Sequence, residues 1–274
     1  MRTQLIAAFN RRNQRVAFLI VYCLSAISFI IENIMESAEN VNKSMLRYWS
    51  DVSLVGGTDG CIRVLVIIMP VISCIIYADS IEEEVREGVL RNIAVRTDVR
   101  KYLRMKTIVI FIANFLTTLI PLLINFLMCR ITFPDFHYDN KYGYLPYTSI
   151  SDNSGYYLGN MAIIKGTEYT FLITLNICVF SGILGIAAYA AFLNFKGKEH
   201  EIVAGLYSAY ILAILITSFT GHSEWSIQSY CITDGIGNIS CQFVLIMILL
   251  ILSVFFIEIG IRKVNDDLEV FSDR

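Results

Sequence analysis

The sequence predicts an all-α membrane protein with six transmembrane helices. Of its 274 residues, 55% are hydrophobic and 17% are charged, and the mean hydropathy is +0.59. This is the profile of a membrane protein. Six stretches almost without charge also approach the roughly 20 helical residues that cross a bilayer core. Runs such as VLIMILLILSVFFI do not alternate polar and apolar residues, so they disfavour a β-barrel.

The first two uncharged runs are shorter than a full span, at 16–31 and 64–78. We expect flanking charged side chains to reach the headgroups and so extend both helices. The predicted spans cover about residues 16–34, 60–78, 107–129, 169–195, 202–221 and 235–257.

The amino terminus does not resemble a cleavable signal peptide, because no small-x-small site follows the Arg-rich start. Residues 1–15 instead place Leu5, Ile6 and Phe9 against several arginines, which predicts an amphipathic helix at the membrane interface. No repeat or separable soluble domain is evident. We therefore expect residues 1–274 to form one membrane domain.

Basic residues predict the orientation of the chain. Sixteen of the 22 Lys and Arg residues belong to the two termini and to the second and fourth connections. Since basic residues bias short loops to the cytoplasm, both termini and residues 79–106 should be cytoplasmic. The long connection 130–168, rich in Tyr, Gly, Asn and Asp, is then extracellular. It is either a folded cap without a ligand or a surface that senses or releases substrate.

Missing motifs argue against catalysis by this chain. No GxxxxGK[ST] phosphate loop, HExxH or GxSxG motif occurs. The three histidines, His137, His200 and His222, fall on different sides of the predicted membrane, so no zinc cluster is expected. We expect no catalytic residue, no metal site and no nucleic-acid partner.

Seven cysteines lie mostly in or near the spans. A buried cysteine usually behaves as a small apolar side chain. Cys231 and Cys241 are the exception, because both lie near the predicted outer face, close together around the start of the last span. They are candidates for a disulfide in an oxidising compartment.

Polar residues near the middle of the membrane are candidates for a substrate path. Charges are nearly absent there, which disfavours an ion pathway and suits an amphipathic or lipid-soluble molecule. The candidates are Asn114, Thr117, Asn125, Thr174, Asn176 and Tyr207.

Residues 79–106 begin with acids and end with bases. That order favours a short cytoplasmic helix, with carboxylates near its positive amino-terminal dipole. Ile81, Val85, Val89 and Ile93 recur every four residues, so one face is apolar and suits packing on the spans or on a partner. A solvated loop whose charges only set the topology is the other interpretation.

In this segment Glu84, Glu87, Gly88 and Leu90 are followed by Arg100, twelve residues after the glycine, and by Lys106, six residues later. By these residues and their spacing, the segment resembles the cytoplasmic segment of type-2 ABC exporter permeases. Val89 replaces the usual threonine, and Thr97-Asp98-Val99 replaces a proline-containing stretch. Six spans and an interfacial amino-terminal helix also resemble this family.

The resemblance implies that residues 79–106 form a coupling helix that docks on a separate ATPase. Its implied contact residues are Glu82, Glu83, Glu84, Arg86, Glu87, Gly88 and Leu90. Two ATPases, binding ATP and Mg²⁺, would act with two identical or homologous permeases in the plasma membrane of a bacterium. The expected substrate is an antimicrobial or other small peptide, exported for secretion or self-immunity. The alternative is a non-transporting sensor or scaffold that binds a ligand outside and recruits a signalling protein inside.

Overall fold

The protein is helical in the part of the chain that the computed structural model describes, and no strand occurs there. The described residues are 2–39, 53–54, 60–78, 80–86, 88–89, 93, 98–132, 158, 166–195, 199–232 and 238–272. The predicted outer connection 130–168 therefore lies almost entirely outside them.

Nine α-helices follow one another in these residues. They are α1 (Arg2–Asn10), α2 (Arg12–Glu39), α3 (Cys61–Ser73), α4 (Ser80–Arg86), α5 (Val99–Thr132), α6 (Gly166–Asn194), α7 (Glu199–Phe219), α8 (Gln228–Cys231) and α9 (Ile239–Ser272). A π-helical turn, Cys74–Ala78, continues α3, and a 3₁₀ turn, Ser223–Trp225, precedes α8.

The predicted number of spans is confirmed. Helices α2, α3 with its π-helical turn, α5, α6, α7 and α9 are long and apolar enough to cross a membrane. Several helices extend beyond the predicted spans: α2 begins at Arg12 and α5 at Val99. The exposed side chains of Arg12 and Arg15 allow this extension, because long basic side chains keep their charges in water while their stems cover apolar surface. The orientation of the bundle and an interfacial location of α1 stay predictions.

Helix α6 is the central helix of the bundle, and it packs against α3, α5 and α9. Glycine allows the close approach to α5: a methyl group added at Gly185 would lie 2.3 Å from Asn114 Nδ2. One turn earlier, the hydroxyls of Ser181 and Thr118 are 2.9 Å apart and bridge the two helices. Small residues at four-residue spacing thus bring α5 and α6 together, as in other membrane helix pairs.

Pro70 leaves a gap in the hydrogen bonding of α3 that α7 fills. Proline has no N–H, so the carbonyl of Val66, four residues earlier, lacks its usual helical donor. The hydroxyl of Tyr210 on α7 donates to that carbonyl at 3.0 Å. Because no water competes in the membrane core, this bond ties α7 to α3.

The helices α3, α6 and α9 finish at the same end of the bundle where α5 and α7 begin. We call this the charged end. Arg104 on α5 forms a two-pronged ion pair with Glu258 on α9, with N–O distances of 2.8 and 2.9 Å. Lys263 on α9 donates to the Asn194 carbonyl at the end of α6.

Helices α7 and α9 are the least enclosed of the six. Apolar side chains such as Leu212, Ile216 and Phe255 are exposed along them. A helix that is apolar all round and exposed in the isolated chain suits contact with lipid or with another apolar helix.

Replacement of Gly260 by alanine should separate α9 from α6. A methyl group there would lie 2.6 Å from Leu193 Cβ, an atom that cannot move without its backbone. We expect a loss of about 1–3 kcal/mol in the free energy of unfolding, the usual cost of overpacking.

Gly205→Ala is the matched control, because nothing lies within 4 Å of the added methyl group and alanine favours the helix. Denaturation in mixed micelles compares the two variants. Equal stability of both would contradict the close packing of α6 and α9.

Candidate functional site

A fully buried lysine marks the charged end. Lys106, in the second turn of α5, has 0% side-chain exposure, and its Nζ lies 2.8 Å from Oε1 of Glu84 on α4, which is 16% exposed. Removing an ammonium from water costs several kcal/mol unless a counter-charge and hydrogen bonds replace the water. Glu84 supplies that counter-charge.

Tyr77, in the π-helical turn, lies beside two cations. Its ring centroid is 5.3 Å from Lys106 Nζ and 5.8 Å from Arg11 Cζ. The electron-rich face of a tyrosine ring attracts cations at this distance. The ring therefore helps to compensate the desolvation of both charges.

Two further contacts complete this group. The hydroxyl of Tyr102 donates to Glu84 Oε1 at 3.1 Å, and Arg11, at the junction of α1 and α2, pairs with Glu83. We call Arg11, Tyr77, Glu83, Glu84, Tyr102 and Lys106 the Lys106 network. It joins α4 to three other parts of the bundle: the α1–α2 junction, the π-helical turn and α5.

The local sequence explains why α4 is short. At its start, the Ser80 hydroxyl donates to the Tyr77 carbonyl at 2.7 Å, which satisfies a carbonyl where the preceding helix stops. Shortly after its end, Gly88 has φ +70°, a left-handed conformation that glycine adopts without strain. The buried Ile81 and the inward Glu84 hold α4 on the bundle.

The predicted coupling residues are therefore not all arranged as a docking surface. Glu84 points into the bundle, and Glu83, 46% exposed, pairs with Arg11. The side chains of Glu82 and Arg86, and all of Glu87 and Leu90, lie outside the described residues. The docking role of the segment stays a prediction, and Glu84 additionally has a structural role within the chain.

The predicted substrate-path residues are mostly buried in helix packing. Asn125 Nδ2 donates to the Ser25 carbonyl at 2.8 Å, and Thr117 accepts from Gln14 at 3.0 Å, so both join α5 to α2. Asn114 and Thr174 donate to carbonyls of their own helices. These four side chains are buried and do not line the cavity described below.

The two remaining candidates differ from these four. Asn176 accepts from Gln242 Nε2 at 2.9 Å and so bridges α6 to α9. Tyr207 on α7 lines a cavity of about 550 Å³ near the charged end. Tyr207 is thus the only predicted path residue that lines this cavity.

Cys231 and Cys241 do not form a disulfide in the structure, and both thiols are free. Cys231 is fully enclosed at the end of α8, whereas Cys241 is partly exposed in the first turn of α9. Burial, together with the neighbouring Cys178, raises the pKa of the Cys231 thiol. A buried thiol of raised pKa stays protonated at neutral pH and reacts poorly with disulfides.

Sequence reasoning missed the contributions of Tyr77 and Tyr102. The signal that could have found the network is Lys106 itself. At helical spacing its neighbours are Tyr102, Leu103, Val109 and Ile110. A lysine inside such an apolar stripe predicts a buried charge with a partner.

Comparisons of the chain with protein-family models, curated proteins and solved structures found no match. Among the residues that the structure describes, no three His, Cys, Asp or Glu side chains converge as a metal site. A functional assignment therefore rests on the chain's own residues.

Removal of the Lys106 charge should destabilise the fold strongly. Lys106→Met leaves the Glu84 carboxylate enclosed without its counter-charge, so we expect a loss of about 3–5 kcal/mol in unfolding free energy. The double variant Lys106→Met with Glu84→Gln should regain more than half, because no uncompensated charge remains. Denaturation in mixed micelles measures both.

The exposed pair of Arg104 and Glu258 provides a control of the same chemistry. These side chains are 60% and 37% exposed, so Arg104→Met should cost no more than about 1 kcal/mol. Equal losses at Lys106 and Arg104, or no recovery in the double variant, would rule out a buried ion pair.

Proposed function

We propose that the chain is the membrane-spanning permease subunit of an ATP-driven ABC exporter. It translocates an amphipathic or hydrophobic substrate, an antimicrobial or other small peptide, for export or self-immunity. A separate ATPase, present in two copies, supplies the energy, and a second copy or a homologue of this chain completes the path. The chain resides in the plasma membrane of a bacterium, with α4 in the cytoplasm.

The observation that carries the proposal is the attachment of α4 to the bundle. A helix that passes on the motion of another subunit must be joined firmly to the spans that it moves. Helix α4 is joined to α5 through the Glu84–Lys106 pair and to the α1–α2 junction through the Glu83–Arg11 pair. A loop whose charges serve only to set topology has no need of a buried ion pair.

Two further features support the proposal. The six apolar helices agree in number with the spans that the resemblance implies. Among the described residues, Lys106 is also the one charged side chain in the wholly buried part of the bundle, which argues against an ion pathway and leaves an amphipathic cargo as the expected substrate.

A purified complex should contain an ATPase with a Walker phosphate loop and an ABC signature. A gene for such a subunit beside the gene for this chain identifies the protein to co-express. Glu82→Lys combined with Glu87→Lys should reduce co-purification of that subunit at least about tenfold, because docking surfaces depend on complementary charge. Glu84 is left intact, since its reversal would place two cations together inside the bundle.

Asp266→Lys with Asp267→Lys, in the last turns of α9, makes the same change in charge outside the coupling segment. It should leave the complex intact, and both double variants should keep the unfolding midpoint of the parent chain. A complex that survives the change at Glu82 and Glu87 would refute docking through this segment. Absence of any nucleotide-hydrolysing subunit would favour the sensor or scaffold function.

Deletion of residues 136–160, all of which except Leu158 lie outside the described residues, should test the peptide substrate. We expect peptide resistance or export to change, while basal ATP hydrolysis of the complex continues, because the deleted segment is far along the chain from the coupling segment. Replacement by a Gly/Ser linker of equal length controls for the length of the connection. An unchanged peptide response in both variants would count against a substrate role for this loop.

A further inference from the structure

A cavity of about 550 Å³ opens between α2, the end of α3, the end of α6 and the beginning of α7. Its size lies within the usual range for pockets that hold small molecules. Asn13, Glu199 and His200 line its polar part. Residues of the neighbouring helices, including Val71, Ile75 and Phe192, form its apolar part.

Polarity changes along the cavity in one direction. Glu199 and His200 occupy the first turn of α7, and Val203, Ala204 and Tyr207 follow along the same helix. The eight helical steps from Glu199 to Tyr207 span about 12 Å. The cavity thus has a polar mouth at the charged end and an apolar part that lies farther along α7.

Among the described residues that line the cavity, Glu199 is the only acidic one and none is Lys or Arg; Lys196 and Lys198, which precede Glu199, lie outside the described residues. Arg12 precedes Asn13 and Arg15 follows two residues later; neither lines the cavity, and Arg15 donates to the Asn10 carbonyl. A carboxylate above an apolar interior complements a ligand with a cationic head and an apolar tail.

We propose that this cavity binds an amphiphile whose ammonium group contacts Glu199 and whose apolar tail lies beside Ala204 and Tyr207. The proposal that this amphiphile binds depends only on the cavity and its lining residues. Its use as the first binding position of a transported substrate rests on the proposed function. The ammonium amphiphile is either a membrane lipid with an amino head group or a free molecule such as a lysine-bearing amphipathic peptide.

Photolabelling tests the site directly. The purified chain is held in dodecyl maltoside, whose head group is uncharged, and exposed to a twelve-carbon alkylammonium that carries a diazirine in its tail. We expect adducts on cavity residues of α3 and α7, located by peptide mass spectrometry. An alkyl sulfate with the same tail should label these residues at least about fivefold less, because its charge is repelled by Glu199.

Two variants and two control variants separate the contribution of the ligand's ammonium head group from that of its apolar tail. Glu199→Gln should reduce alkylammonium labelling about fivefold, and Ala204→Trp should abolish it by filling the apolar part. Glu201→Gln and Ala209→Trp change residues of α7 outside the cavity lining, and both should label like the parent chain. Equal labelling by the two amphiphiles, or labelling unaffected by Glu199→Gln and Ala204→Trp, overturns the proposal.

Competition distinguishes the source of the ligand. Loss of labelling on addition of phosphatidylethanolamine supports a lipid occupant, and loss on addition of a Leu/Lys amphipathic peptide supports a free substrate; failure of both overturns the proposal. The result is independent of the exporter test. Labelling without a co-purified ATPase would support binding in the cavity and refute the exporter function. An ATPase complex without labelling would support the exporter function and refute binding in the cavity.

Discussion

The arrangement of the charged end depends on the enclosure of one ammonium group. Lys106 has no access to solvent, and a charge in that position persists only if the protein replaces its water. Glu84 provides the opposite charge, and the Tyr77 ring provides a polarisable face. To bring both within reach, α4 must fold back on the bundle, and helical geometry must break between α3 and α4. The break in the helix after α3 is therefore needed because Lys106 on α5 is buried.

The same pairs determine how a force on α4 would spread. The Glu84–Lys106 pair connects α4 to the 34-residue helix α5, whereas the more exposed Glu83–Arg11 pair connects it to the break between α1 and α2. Breaking a buried pair costs several kcal/mol, and breaking an exposed one costs little. A displacement of α4 should therefore carry α5 with it and allow the α1–α2 junction to rearrange.

The sequence was sufficient for the spans, because bilayer thickness fixes how many apolar residues a helix needs. It was insufficient for the partners of each polar residue. In the sequence, Asn125 and Tyr207 are both polar residues in apolar helices. In the structure, Asn125 fixes the packing of α2 against α5, whereas Tyr207 lines a cavity. Spacing tells which residues share a helix face, but tertiary packing decides what that face meets. Likewise Glu84 was predicted among surface acids, and only the location of Lys106 shows that it turns inward.

The π-helical turn connects the cavity to the Lys106 network. Cys74 and Ile75 line the cavity, and Tyr77, two residues later in the same turn, contacts Lys106 and Arg11. The turn leaves helical geometry at Tyr77, so the part that lines the cavity and the start of α4 do not belong to one continuous helix. A ligand beside Ile75 and a force on α4 would both act on these five residues. The π-helical turn is thus the shortest covalent route by which occupation of the cavity could alter the position of α4.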